Sequence, residues 1–184
     1  MQMKKAIETL VKEKCITILD AQETGASVPQ WVSGVGVAYP LEGMPPMTPE
    51  ILRAAYDIPI GCRIDRKAVE SPLCFADVDD GEEPLTAEKV QLQPGDEEVS
   101  SYETQDGVLF LSRKYLKPVL DGSQVGIYMR RTEDGKIYGA VKDGMKLTAL
   151  VMPYRCVTPE WIGELESVTA RLARTLERAD KFDW

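Results

Sequence analysis

Histidine is absent and cysteine is rare in this chain of 184 residues, which limits nucleophilic and zinc chemistry. It contains no histidine, so neither a serine–histidine nor a cysteine–histidine nucleophile pair can form. Cysteines occur at Cys15, Cys62, Cys74 and Cys156, with no CxxC pair among them. We therefore expect reduced thiols, no metal, no cofactor and no catalytic residue. The chain is predicted not to be an enzyme, and a small carboxylate- or thiol-dependent enzyme is the least favoured alternative.

The carboxylates are concentrated in one segment. Between Asp77 and Asp106 there are eleven acidic residues and one basic residue, Lys89, so the net charge of this segment is −10. The net charge of the whole chain is −8. The remainder of the chain is therefore +2 and can meet an anionic partner. Asp77, Asp79 and Gly81 match a calcium loop only in part, because the full ligand spacing is missing. The acidic segment is predicted to be a solvated, turn-rich run.

Basic residues cluster on two predicted helices. Lysines in the first helix lie off its apolar face, and the stretch Ser112–Leu120 contains three basic residues and no acidic one. Mobile cationic side chains of this kind hold backbone phosphates without reading a base sequence. If about six of them contact phosphates, log K should fall with log salt at a slope near −5. The candidate DNA-binding residues are Lys4, Lys5, Lys12, Lys14, Arg113, Lys114 and Lys117. The alternative is that these cations only solvate outer helix faces.

Hydrophobic periodicity predicts an α+β chain. Thr48-Pro49-Glu50 and Thr158-Pro159-Glu160 both have the residues of a helix start. The predicted helices are 3–14, 49–56, 112–120 and a C-terminal helix from 159 to about 180. The predicted strands are 15–19, 31–39, 108–111, 125–131, 137–141 and 145–152, with weaker candidates at 73–78 and 89–93.

The C-terminal helix carries an apolar stripe at helical spacing. The stripe consists of Trp161, Ile162, Leu165, Val168, Leu172 and Leu176. It packs either against the core of the same chain or against another copy or partner, and the sequence leaves both open.

Residues 108–155 have the order strand, helix and three strands, and they end in an apolar-Met-Pro-x-Arg tail. This stretch resembles the last domain of the bacterial DNA sliding clamp, the β subunit of the replicative polymerase. The matching residues are Phe110, Tyr115, Leu116, Leu120, Val125, Ile127, Ala149, Val151, Met152, Pro153 and Arg155. The resemblance covers about a quarter of the chain. It departs from the family in having room for one domain rather than three, in Tyr154 replacing a usual methionine, and in the added helix.

The resemblance implies a clamp-like antiparallel sheet with two helices on one face, plus the added C-terminal helix. Residues 1–156 would form one clamp-like domain of two pseudo-repeats, about 1–106 and 107–156, and residues 157–184 the amphipathic helix. Its function would be to tether replication or repair partners to double-stranded DNA as a processivity factor. Short partner peptides would bind a pocket at Met152, Pro153 and Arg155. The alternative is a protein–protein interaction module that uses the C-terminal helix and the acidic segment.

No apolar run reaches the roughly 18 residues of a membrane helix, and the N-terminus has no apolar signal-peptide core. The expectation is therefore a cytoplasmic protein without a membrane partner. Whether it forms a homo-oligomer is left open by the sequence.

Overall fold

A computed structural model describes residues 2–21, 26–70, 72–105, 107–155 and 157–179. Cys156 and residues 180–184, predicted as a reduced thiol and as the end of the chain's last helix, lie outside the described residues. The described helices are α1 (Met3–Lys12), α2 (Pro49–Ala55), α3 (Arg113–Leu116) and α4 (Pro159–Ala179). The described strands are β1 (Cys15–Asp20), β2 (Gln30–Ser33), β3 (Val37–Pro40), β4 (Arg63–Ala68), β5 (Glu83–Pro84), β6 (Thr86–Leu92), β7 (Val99–Thr104), β8 (Gly107–Ser112), β9 (Val125–Arg131), β10 (Ile137–Asp143) and β11 (Lys146–Val151).

Eight of these strands form one sheet in the order β4-β1-β2-β3-β11-β10-β9-β5. Every neighbouring pair is antiparallel except β1 and β4, which run parallel with Cys15 opposite Arg63. A second antiparallel sheet has the order β6-β7-β8. The α+β class predicted from the sequence is confirmed, and the order strand, helix and three strands predicted for 108–155 is present as β8, α3, β9, β10 and β11, with the last three antiparallel.

The strands of the large sheet bury apolar side chains on both faces. Ile16 and Ile18 of β1 belong to one buried cluster, while Leu19 of the same strand belongs to another. In β3 the same alternation places Val37 and Tyr39 in the first cluster and Ala38 in the second. Successive side chains of a strand point to opposite faces, so the two clusters lie on the two faces of the sheet.

We call the face that carries Ile16 and Ile18 the helical face, because α1, α2 and α3 all contribute to its cluster. Buried in this cluster, with at most 2% of the residue exposed, are Ile7 of α1, Leu52 of α2 and Leu116 of α3. Two helices, α1 and α3, were expected on one face of the sheet. The helix α2 packs on the same face, so three helices contribute to this cluster. The opposite face, which we call the loop face, carries Trp31 and is covered by Val69, Leu73 and Phe75.

Both predicted helix starts have the expected cap. The hydroxyl of Thr48 accepts a hydrogen bond from the Ile51 amide at 3.3 Å, with Pro49 in the first turn of α2. In α4 the Thr158 hydroxyl accepts from the Trp161 amide, also at 3.3 Å. Each cap satisfies an amide that has no partner inside the helix.

The prediction of a single strand over Trp31–Tyr39 is wrong. The segment forms the hairpin of β2 and β3, in which Val32 pairs with Tyr39 and Ser33 with Ala38. The turn at 34–36 leaves Val35 exposed, and the Gly34 amide donates to the Val37 carbonyl at 2.9 Å. Alternation of apolar residues continues through the turn, so the pattern alone does not mark it.

Two further boundaries differ from the prediction. The helix expected over 112–120 ends at Leu116 and continues as turns, because Pro118 has no amide hydrogen to extend it. Leu120, one of the residues that match the clamp family, is 42% exposed. Residues 73–78 form an irregular loop instead of a strand, whereas the candidate strand at 89–93 falls within β6 apart from its last residue.

The chain divides into two compact units, Met1–Tyr154 and Arg155–Trp184. The first contains both sheets and α1 to α3, and the second contains α4. Among the described residues, no helix has the length and apolar character needed to cross a bilayer.

Candidate functional site

A cleft with an apolar floor opens on the loop face of the large sheet, and we call it the apolar cleft after that floor; its volume is about 290 Å³. Its floor consists of Leu19, Ala38 and Leu150, one residue from each of β1, β3 and β11. These three side chains are at most 8% exposed, so the floor is part of the packed sheet. The cleft is just below the usual volume of small-molecule pockets. It has room for a few apolar side chains.

One wall of the cleft is the loop that follows β4. Val69 and Leu73 line the cleft half-buried, and Phe75 is fully buried beside them. The Phe75 ring packs edge-on against Trp31, with ring centroids 5.1 Å apart and planes 83° apart. Edge-to-face contacts of this kind stabilise aromatic pairs beyond the area they bury. Lys67 and Glu70 are exposed at the rim.

A buried charge cluster holds that loop in place. The Arg130 guanidinium is fully buried and donates to the carbonyls of Cys74, Ala76 and Asp77 at 2.9–3.2 Å. It also donates twice to Glu82, at 3.0 and 2.7 Å, while the Lys142 ammonium donates to the other oxygen of Glu82 at 2.5 Å. These bonds satisfy the buried charges and fix the wall of the cleft.

This charge cluster is not predictable from the local sequence pattern. Glu82 lies in the acidic segment that is predicted to be solvated, yet its side chain is only 15% exposed. The signal that could have revealed the cluster is the presence of Arg130 and Lys142 inside otherwise apolar strands. Charged residues at such positions need a buried partner. The nearby Asp77 and Asp79 are likewise engaged, since they accept hydrogen bonds from the amides of Leu147 and Gly81.

The predicted peptide pocket is only partly assembled in the structure. Met152 lines the apolar cleft, and its amide donates to the Gly36 carbonyl at 2.8 Å, which joins the end of β11 to the hairpin turn. Pro153 follows it and is half-buried. Arg155 is exposed and belongs to the second unit.

The hairpin turn at the other wall is tied to the helical face through Glu13. Its carboxylate accepts from the Val35 amide at 2.9 Å and from the Tyr115 hydroxyl. Burial, followed by this hydrogen bond to Glu13, raises the pKa of Tyr115 well above its ordinary value. The hydroxyl therefore remains a donor throughout the physiological pH range.

The candidate DNA-binding residues divide into two groups. Lys4, Lys12 and Lys14 are exposed and form no ion pair with any described residue. Lys5 is exposed and lies 3.7 Å from Asp121. The second group, Arg113, Lys114 and Lys117, is paired with carboxylates.

Glu97 and Glu98, which precede β7, neutralise the second basic group. The Lys114 ammonium lies 3.1 Å from Glu97 and 3.7 Å from Glu13. Glu98 lies 3.7 Å from Arg113 and 3.4 Å from Lys117. The acidic segment therefore reaches the cations of α3, and the separation into an acidic region and two basic helices that the sequence suggests does not hold at α3.

No group of three or more metal-ligating side chains is present among the residues that the structure describes. Burial raises the pKa of the Cys62 thiol, so it stays protonated near neutrality.

Comparison with known proteins finds no matching family model, no matching curated protein and no matching solved structure. The function is therefore inferred from the geometry of the cleft and the charged surfaces.

Proposed function

We propose that this protein is a non-enzymatic tethering protein, and that its apolar cleft binds a short extended peptide of a partner. The observation that supports this most is the cleft itself, which has a packed apolar floor and a wall fixed by Arg130. Met152 at one side can adapt to different apolar side chains, because its thioether chain is flexible and polarisable. This role is the one that the resemblance to sliding clamps implies for the Met-Pro tail.

The chemistry of the lining residues defines the occupant. Two or three apolar side chains of a peptide fill the cleft, and its polar backbone stays near Lys67 and Glu70 at the rim. Recognition by apolar anchors in a pre-formed cleft needs no titrating group. The absence of histidine is therefore compatible with this role.

The test uses a displayed library of random short peptides selected against the full chain, followed by fluorescence-anisotropy titration of the enriched peptides. Val35→Asp places a charge at the cleft from a side chain that is 82% exposed, so the fold should survive the substitution. We expect enriched peptides with apolar anchors and a loss of affinity of at least about ten-fold in this variant.

The matched control is Ile60→Asp, because Ile60 is 93% exposed and does not line the cleft. It should leave the affinity unchanged. Failure to enrich any peptide, or equal losses in both variants, would overturn the proposal.

A second candidate function is contact with the backbone of double-stranded DNA through α1. Its support is the exposure of Lys4, Lys12 and Lys14 without ion-pair partners in the described residues. Because Arg113, Lys114 and Lys117 are paired with carboxylates, about three of the candidate cations remain for phosphates. The expected slope of log K against log salt is then about −3 instead of −5.

Binding of linear duplex DNA at several salt concentrations tests this second function. Lys4→Glu with Lys12→Glu should abolish binding, whereas Lys117→Gln should change it little, because Lys117 is already paired with Glu98. No retention of DNA at low salt, or an equal effect of Lys117→Gln, would count against α1 as the contact surface.

A further inference from the structure

Four residues of the apolar stripe of α4 are exposed. Ile162, Leu165, Val168 and Leu172 are each between 42% and 55% exposed. They recur at the spacing of one helix face, and α4 is 21 residues long. Helices in water gain most of their stability by packing such a face against another surface. We therefore expect the stripe to pack against an apolar surface of similar length.

The charges beside the stripe indicate what that surface is. Glu164 and Arg171 are seven residues apart, so they lie two turns apart along the same flank of the stripe. Neither has an oppositely charged residue three or four positions away, so neither can pair within the helix. The flank thus presents an anion and a cation to whatever covers the stripe.

A second copy of α4 in antiparallel orientation satisfies both charges at once. In the heptad assignment that places Leu165 and Val168 at the two core positions, Glu164 and Arg171 occupy equivalent flanking positions. When Leu165 of one helix packs beside Val168 of the other, Glu164 comes opposite Arg171 of the second copy, and the reverse pair forms by symmetry. The same register places Trp161 beside Leu172.

A parallel pair does not use these charges. In that orientation the flanking position of Glu164 faces the position of Thr169, which carries no charge. The charge pattern therefore favours the antiparallel pair.

We propose that the protein is a homodimer held by an antiparallel pair of α4 helices, with Glu164 of each copy paired to Arg171 of the other. This inference is independent of the cleft, since a dimer could form without peptide binding and the reverse also holds. Were both correct, two clefts in one particle would strengthen binding to partners that display the peptide twice.

Sedimentation equilibrium of the full chain measures the dimer directly. The wild-type chain should dimerise at micromolar concentrations. Glu164→Arg and Arg171→Glu should each raise the dissociation constant at least about ten-fold, because each creates two like-charge contacts. The double variant Glu164→Arg/Arg171→Glu should restore the wild-type constant to within about three-fold, since its charges are again self-complementary in the antiparallel register.

Mixing the two single variants adds a test of orientation. The chain with Glu164→Arg and the chain with Arg171→Glu should associate with each other although each is impaired alone. Leu165→Lys should abolish dimers, and Ala170→Lys, on the opposite helix face, should not. Circular dichroism checks that α4 stays helical. A monomeric wild-type chain, or a double variant no better than either single one, would overturn the proposal.

Discussion

Arg130, Lys142 and Glu82 show how single residues fix the wall of the cleft. The two cations are at most 3% exposed, and Glu82 contacts both of them. Removing one partner of a buried ion cluster leaves charge without compensation, which costs more than the cluster contributes when intact. Glu82 is the only carboxylate in this cluster among the described residues. It is therefore the residue whose loss should affect the fold most.

Glu82→Ala should lower the free energy of unfolding by about 3–5 kcal/mol, because Arg130 and Lys142 would remain buried without their carboxylate. Urea denaturation followed by tryptophan fluorescence measures the change. Asp80→Ala, at an exposed residue two positions away, should change it by less than about 0.5 kcal/mol. Equal effects of the two substitutions would contradict the assigned role of Glu82.

Asp20 gives a prediction about pH. The side-chain hydrogen bond from Arg66 holds the pKa of Asp20 below its ordinary value, although partial burial opposes this. The folded state therefore binds fewer protons at this carboxyl than the unfolded state does. Its stabilising contribution is complete above about pH 4, the ordinary aspartate pKa, and disappears as the pH falls through the lower folded value.

Asp20→Asn should therefore be less stable than the wild type near neutral pH, and the difference should shrink as the pH falls below about 4. Chemical denaturation at a series of pH values measures the difference in the free energy of unfolding between Asp20→Asn and the wild type. Asp80→Asn is the control. A constant difference across the whole series would show that Asp20 does not act through its charge.

At the scale of elements, the β2–β3 hairpin links the cleft to the helical face. A Cβ atom at Gly34 would lie 2.7 Å from Leu10 Cδ2 and would also contact the Glu13 carboxylate. That carboxylate binds the Val35 amide, so the turn, α1 and α3 meet at one point. Close approach of the backbone to a helix is a common reason for glycine in a strand pattern.

Gly34→Ala should destabilise the protein by about 1–3 kcal/mol, because the added methyl group overpacks the contact with Leu10 and Glu13. Gly61→Ala is the matched control, since a Cβ there meets no atom within 4 Å. It should be neutral or slightly stabilising. Thermal unfolding distinguishes the two, and a neutral Gly34→Ala would contradict the packing described for the turn.

The elements that local pattern determines were predictable from the sequence. The strand β9 has the predicted bounds, and both Thr-Pro-Glu starts cap their helices. The hairpin turn was missed because its apolar alternation runs through Gly34 and Gly36. The strand β4 was missed because four of its six residues are exposed, so it lacks the apolar pattern of a buried strand.

The cleft could be predicted only at Met152. Its floor combines β1, β3 and β11, which are far apart in sequence, and its wall depends on an ion pair between residues 48 positions apart. Such contacts arise from the tertiary fold, which local propensity does not encode. The pairing of α3 cations with Glu97 and Glu98 is of the same kind and reverses the expectation drawn from local charge.

At the scale of the whole molecule, the first unit presents two distinct surfaces. The helical face carries the exposed lysines of α1, and the loop face carries the apolar cleft. The large sheet lies between these two surfaces, and the β2–β3 hairpin connects them through Glu13. Two surfaces of this kind suit the tethering role proposed above.

Amide chemical-shift mapping of the isotope-labelled full chain, titrated with an enriched apolar peptide, tests whether the peptide binds in the cleft. We expect the largest shift changes on residues 33–38, on 67–75 and on Met152, and we expect Val35→Asp to remove them. Changes confined to α1, α3 or α4, with the cleft unaffected, would contradict it.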